Sequence, residues 1–327
     1  MKLETAFTRQ IGVEYPIICG AMYPCSNPEL VAAVSAAGGI GIVQPISLTY
    51  VFKHDLREGL RLIRRLTDRP IGFNVIVEKS ARAYEVKMQA WVDLALEEGV
   101  KLFITALGNP KWVVDRAHAA GGIVYHDVTS RDWALKAVDH GVDGLICVND
   151  RAGGHAGQKS PEQLHADLAD LGKPLICAGG VGSEEDFVRV MRAGYAGVQM
   201  GTRFIACEEC KVHSDYKNAI LRAGENDIVL SEKISGVPCA VIRTPYIDKV
   251  GTKAGPIARW LLRGRRTKRI MRSIYALLSI WKLRGSALQG MRYQDYFQAG
   301  KSVEGIESVE PAGAIVKRFA EALQAAT

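Results

Sequence analysis

The sequence predicts a mixed α/β fold, a closed (β/α)8 TIM barrel, on three observations. Eight short, continuously apolar runs recur along the first 200 residues. An amphipathic stretch with helical spacing follows almost every run, so each strand–helix pair forms a parallel βαβ unit. The runs recur every 20–30 residues within a chain of 327, a size that barrels of this type reach as one unit. An open doubly wound sheet is the runner-up.

The strand-like runs are PIICG (16–20), GIGIVQ (39–44), PIGFNV (70–75), KLFITA (101–106), GIVYHD (122–127), DGLICV (143–148), PLICAGG (174–180) and GVQMGT (197–202). None alternates apolar with polar residues, which marks strands buried on both faces. Helices are expected over 28–38, 55–66, 81–99, 110–121, 130–141, 160–172 and 183–194. Ser130, Ser160 and Ser183 open three of them, with Pro161 following Ser160, and Pro28 and Pro110 stand at the start of two others. Gly38, Gly99, Gly121, Gly141, Gly172 and Gly194 close six of them. Side-chain oxygens before the first turn and glycine after the last one satisfy the backbone groups that a helix leaves unpaired at its ends.

The rhythm breaks after residue 202. Residues 1–202 read as the barrel, and 203–327 as a mainly helical elaboration near the barrel mouth, with only weak strand signals around PCAVIRT (238–244). In (β/α)8 barrels the chemistry sits at that mouth, where the βα loops gather.

Composition narrows the function class. Apolar residues make up 48% of the chain against 24% charged, too apolar for a disordered chain. No uncharged apolar run approaches the 18 or so residues of a membrane span. The N-terminal MKLETAFTRQIGVEYP has no secretory h-region, and seven cysteines is an odd count. A cytoplasmic protein with reduced thiols is therefore expected. The net charge of +7 comes from one place: residues 259–284 hold nine Lys/Arg and no acid, leaving 33 basic and 35 acidic residues elsewhere. Such a local patch is unlike the spread basic face of a nucleic-acid binder. It reads as a solvated helical face, as an attractor for an anionic thioester, or as a contact with an anionic membrane surface.

The residues that carry chemistry stand at the C-terminal ends of the strands. The first run ends in Gly20-Ala21-Met22 and the third in Asn74. The sixth leads into NDRAGGHAG with His155, the seventh ends in Ala178-Gly179-Gly180, and the eighth in Gln199-Met200-Gly201-Thr202. Glycine turns on the last two strands let bare backbone N–H groups approach an anion, and those loops are the usual phosphate grip of a barrel. A phosphate-bearing cofactor is expected there. His155 sits in a glycine-rich loop that can present it to a pocket, and its ordinary pKa suits a general base. CEECKVH (207–213) has metal-like spacing without a fourth ligand nearby, so two cysteines with no metal is the reading. GGVGS (179–183) is not the dinucleotide fingerprint, which leaves any NAD(P)H to bind against another cofactor.

GAM after the first strand, GFNV, AGGHAG, ICAGGVGS, VQMGTRF and the closing YFQAGKSVEGI (296–306) together resemble the nitronate monooxygenase family, formerly called 2-nitropropane dioxygenases. That family also includes flavin-dependent enoyl-acyl-carrier-protein reductases and NADH:quinone reductases. The resemblance runs from about residue 8 to residue 222 and resumes at 296. It implies a barrel that binds FMN noncovalently. Gly20, Ala21 and Met22 would pass near the flavin ring, and Asn74 would bond to it. Gly180, Gly201 and Thr202 would hold the phosphate beside Gln199 and Met200, and Gln298, Ala299 and Gly300 would close over the flavin. His155 would be the base. One departure is HDVTS (126–130), near which relatives often carry a lysine. The resemblance implies nitronate oxidation with O2 to a carbonyl product and nitrite. Its alternatives are NAD(P)H-dependent reduction of an enoyl thioester or a quinone, or a non-catalytic barrel that binds a thioester or a membrane. The expected partner is a small-molecule substrate, with no nucleic acid, and a homodimer is compatible with the sequence.

Overall fold

The computed structural model describes residues 3–78, 82–255, 282–290 and 296–326. Eight parallel strands close into a barrel in sequence order: β1 (Ile17–Cys19), β2 (Ile40–Val43), β3 (Gly72–Ile76), β4 (Leu102–Ala106), β5 (Ile123–Val128), β6 (Gly144–Val148), β7 (Leu175–Ala178) and β8 (Gly197–Met200). Every one falls inside a run read from the sequence or within one residue of it. Closure is the pairing of β1 with β8, Ile18 opposite Gln199 and Cys19 opposite Met200.

Helices alternate with the strands. After the short α1 (Ala6–Ile11) come α2 (Pro28–Ala36), α3 (Leu56–Leu66), α4 (Arg82–Glu97), α5 (Lys111–Ala119), α6 (Arg131–Asp139), α7 (Pro161–Leu168) and α8 (Glu184–Arg192). Their starts follow the capping logic. The Ser160 and Ser183 hydroxyls accept from backbone N–H groups three residues on, and the side chains of Gln163 and Asp186 return the bond, closing capping boxes.

Strand parity sorts the core into two layers. Ile18, Ile40, Ile42, Leu102, Ile104, Tyr125, Ile146 and Ile176 fill the inside of the barrel. The alternate residues, such as Phe73, Phe103, Val124, Leu145 and Val198, pack outward against the helices. Burial on both faces explains why these strands read as unbroken apolar runs.

Helix α1 was not expected from the sequence. Thr5 and Thr8 cap it reciprocally, and Gly12, at φ 77°, ends it in the left-handed region. It plugs the lower end of the barrel. Phe7 is fully buried among the inner residues, its ring edge-on to Tyr125 with centroids 5.9 Å apart. The Tyr125 hydroxyl donates to Gln10 Oε1 at 2.6 Å, and the Thr5 hydroxyl donates to the Ala196 carbonyl at 2.7 Å. Six residues are too few for helical periodicity to show, which is why the pattern hid it.

Beyond β8 come the one-turn α9 (Thr202–Ile205), α10 (Ser214–Arg222), β9 (Ile228–Ser231), β10 (Cys239–Ile242) and α11 (Pro245–Val250). The C-terminal helix, Ala312–Ala325, then buries Ile315, Val316, Phe319 and Leu323. It packs against α8 and α2, with Phe319 5.8 Å from Phe187. That is the place of the eighth outer helix of the barrel. The weak strand signal at 238–244 is β10, and its antiparallel partner β9 went unread. Most of the basic segment, 259–281, lies outside the described residues. Of its remainder, Lys282 donates to the Lys233 carbonyl at 3.0 Å, and Leu283 packs with Ile234, Val241 and Tyr296.

The plug makes a stability prediction. Phe7→Ala removes a fully buried ring from a site walled by barrel residues that cannot collapse, so it should cost about 3–5 kcal/mol. Urea unfolding of the two proteins measures this, and a loss below about 1 kcal/mol would show that the barrel bottom closes without α1.

Candidate functional site

A cavity of about 950 Å³ opens at the C-terminal ends of the strands. It is at the upper end of the range of about 300–1,000 Å³ for ligand pockets, enough for a cofactor and a second molecule together. Of the residues expected at the site, Gly20, Ala21, Met22, His155, Ala178, Gly179, Gly180, Gln199, Met200, Gly201, Thr202 and Gln298 line it. Asn74, Ala299 and Gly300 do not. The Asn74 amide donates to the Ile104 carbonyl at 3.2 Å. Ala299 is buried behind the wall, and the Gly300 N–H donates to Thr202 Oγ1 at 3.0 Å.

One wall offers unpaired backbone donors. Among the described residues, the N–H groups of Gly180, Val181, Gly201 and Thr202 reach no protein acceptor, although all four residues line the cavity. Gly179, at φ 115°, leads the chain into this turn, and a Cβ there would stand 2.5 Å from both Ala152 N and Asn149 Oδ1. Converging free N–H groups are an anion-binding arrangement.

The barrel axis offers an unpaired acceptor. Gln199 Oε1 is buried with no hydrogen-bond partner in the structure. The side chain has room because residue 20 is glycine: a Cβ there would lie 2.9 Å from Gln199 Cγ. A buried carbonyl left unpaired costs roughly 1–3 kcal/mol, so a ligand N–H would complete it. Glycine cradle, free N–H groups and orphaned amide oxygen together fit a planar heterocycle carrying a phosphate, which is the chemistry of FMN.

His155 faces the cavity from the loop between β6 and α7. The Ser235 hydroxyl donates to the Val237 carbonyl at 3.1 Å, so the contact of 2.8 Å between His155 Nε2 and Ser235 Oγ must carry the histidine proton. Nδ1 is then the acceptor. Displacement of water by surrounding protein lowers the His155 pKa below its ordinary value, which favours the neutral ring. The loop itself is fixed by β10, whose Ala240 N–H donates to the Gly154 carbonyl at 2.7 Å.

The opposite wall holds residues that the sequence flagged only as a departure. The Thr105 hydroxyl donates to the Tyr125 carbonyl at 3.1 Å and accepts from His126 Nδ1 at 2.8 Å. Burial lowers the His126 pKa to about 4, so this ring is neutral too. Asp127, next along β5, lines the cavity and has Oδ1 buried without a partner. Burial raises its pKa from the ordinary 3.8 to about 7. At the outer rim stand Leu107 and Trp133, 62% and 55% exposed, with the Lys136 ammonium 4.5 Å above the Trp133 ring. No motif pointed to these rim residues. The metal-like CEECKVH stretch takes a structural part: Cys207 and Cys210 are buried, and His213 Nδ1 accepts the Asp215 N–H at 3.2 Å to cap α10.

Comparison with known proteins agrees with this geometry. The family model described as nitronate monooxygenase matches residues 4–321. A (3aS,4S,5R,7aS)-5-hydroxy-7a-methyl-1-oxo-octahydro-1H-indene-4-carboxyl-CoA dehydrogenase from Mycobacterium tuberculosis is 30% identical over 255 residues, covering 76% of this chain and 69% of that protein. A probable nitronate monooxygenase from Staphylococcus saprophyticus is 29% identical over 292 residues, covering 76% of this chain and 81% of that one. Among solved structures, FabK from Thermotoga maritima superposes with a TM-score of 0.81 at 27% identity, over 99% of this chain and 97% of its own. The chain belongs to the nitronate monooxygenase family and is a flavin-dependent oxidoreductase.

The Asp127 environment predicts a pH signature. Its folded pKa lies above its unfolded one, so folding keeps a proton that the unfolded chain releases. Its contribution to stability therefore falls as pH climbs from about 4 to about 7 and is constant above. Asp127→Asn should be the more stable protein at pH 8, on the order of 4 kcal/mol, with a gap that narrows towards pH 4.5. Thermal melts of both proteins across that range test it, and a gap independent of pH would contradict it.

Proposed function

We propose that this chain is an FMN-dependent oxidoreductase that oxidises a nitronate, with O2 as final oxidant, to a carbonyl compound and nitrite. The observation that carries the reading is His155: a neutral imidazole, its tautomer set by Ser235, with Nδ1 left as an acceptor at the cavity. That is what removal of the α-proton of a neutral nitroalkane, which yields the nitronate that is then oxidised, requires. Gly180, Val181, Gly201 and Thr202 would hold the FMN phosphate through backbone N–H groups, and Gln199 would accept from the ring. Gly20, Ala21 and Met22 would run along one ring face, and Gln298 would close the other side. When bound, FMN supplies the redox chemistry that no side chain here can provide. The protein's part is to bind, to orient and to move one proton at His155 Nδ1.

A second reading, NAD(P)H-dependent reduction of an activated thioester, has its own support. The cavity is large for a short nitronate, and Leu107, Trp133 and Lys136 give its rim apolar surface beside a cation. The M. tuberculosis relative is named for a carboxyl-CoA substrate.

Anaerobic titration of the flavin-loaded protein separates the readings. A small alkyl nitronate should bleach the visible flavin bands, while NADH and NADPH leave them oxidised. Bleaching by a nicotinamide would replace the first reading with the second. His155→Ala should keep the flavin and lower turnover of the neutral nitroalkane about 10²-fold or more. Unchanged turnover would remove His155 from the reaction.

A further inference from the structure

We propose that Asp127 binds the cofactor as the protonated carboxylic acid, donating a hydrogen bond into the cavity, so that its ionisation weakens flavin binding. The inference deepens the flavin reading above and rests on it.

Parity places Asp127 on the inner face of β5, two residues beyond the inward-facing Tyr125. Its carboxyl lines the cavity, its Oδ1 is buried without a partner, and it forms no ion pair with a described residue. The neighbouring strands cannot supply one: β4 (LFITA) has no ionisable side chain, and β6 (GLICV) has only Cys147, whose thiol is held neutral by burial. A bare carboxylate in that position has nothing to offset its desolvation. The neutral acid has a donor with no acceptor. Gln199, on the opposite side of the barrel, has the complementary defect, an acceptor with no donor. A flat heterocycle with an acceptor on one edge and a donor on the other satisfies both, and the flavin ring carries both kinds of group.

Ionisation of Asp127 turns the donor into an acceptor and adds a negative charge against the bound ring. Most other groups facing the cavity do not change charge over the same range. His126 is neutral above about pH 4, Tyr23 is pushed up to about 12, and the Tyr216 phenol is raised well above its usual value. His155 is lowered by burial. From α6, Lys136 and His140 reach the outer part of the cavity, and on the outer flank of β5 His118 pairs with Asp143.

The test is a titration of flavin-free protein with FMN, followed by flavin fluorescence, from pH 6 to 8.5. Binding should weaken at least about tenfold between pH 6.5 and 8.5, the effect of one proton taken up on binding. Asp127→Asn, which keeps a donor, should bind as the wild type does at low pH and lose that weakening. Asp127→Leu, with no donor, should bind weakly at every pH. Ionisation of the FMN phosphate, near pH 6, acts on all three proteins alike and drops out of the comparison. Wild-type binding that is flat with pH would overturn the inference without a variant. So would a weakening that persists in Asp127→Asn, since it would then belong to another group. Failure to bind FMN at any pH would instead overturn the flavin reading.

Discussion

The site depends on the closure of the barrel between β1 and β8. That pairing sets Gly20, just past the end of β1, beside Gln199 on β8. A side chain at residue 20 would occupy the space the glutamine uses, so the amide could not turn inward without opening the seam. Closure also gathers every strand end on one rim. Gly180 after β7 then stands next to Gly201 and Thr202 after β8, and their free N–H groups face one space. These donors are separated by more than twenty residues in sequence, and only the parallel, in-order sheet makes them one site.

A second constraint fixes what lies over that rim. β10 is paired on both edges: with β9 on one side, and on the other with Gly154 and Gln298. The loop that carries His155 and the segment that carries Gln298 are therefore held by the same four-residue strand. Other bonds lock the closing segment to the barrel. The Lys301 N–H donates to the Arg151 carbonyl at 2.9 Å, and the Tyr216 hydroxyl donates to the Gln298 carbonyl at 2.5 Å. Buried Arg203 donates to the Ala206 and Ser308 carbonyls at 2.8 and 2.6 Å. A guanidinium in that position loses much hydration, and two carbonyls and the Glu310 carboxylate 3.5 Å away offset part of the loss.

The barrel was legible because its signals are local and repeated. Each strand is an unbroken apolar run, and each helix carries its own start and stop. The glycine turns at 179–180 and 201 and the histidine at 155 were legible for the same reason, since they sit at strand ends that the pattern locates. What the sequence hid depends on partners far along the chain. α1 is too short to show a period, and its burial is decided by Tyr125 more than a hundred residues away. β9 is half exposed and gains its status from pairing with β10. Asn74 was expected to bond the flavin on family resemblance, and its amide donates to the Ile104 carbonyl of the neighbouring strand, a partner no motif contains. Asp127 was visible as a departure at a strand end, but its isolation was not. That an acid has no counter-charge is a fact about the neighbouring strands, and no motif contains it.

That isolation bears on why the cavity suits redox chemistry. Its polar walls are built from neutral groups: two histidines held as free bases, backbone N–H groups, an amide, and an acid whose pKa stands near neutrality. Lys136 is the one lysine or arginine among the described residues lining it, and it lies on α6 at the rim beside Trp133. In a poorly solvated space a fixed charge acts strongly, because little water screens it. A carboxylate on the barrel axis would oppose the arrival of electrons in the cavity, whereas the same group protonated would not. The barrel thus places, next to the position where charge must accumulate, a residue whose own charge is decided by a single proton, and burial has moved that decision into the physiological range.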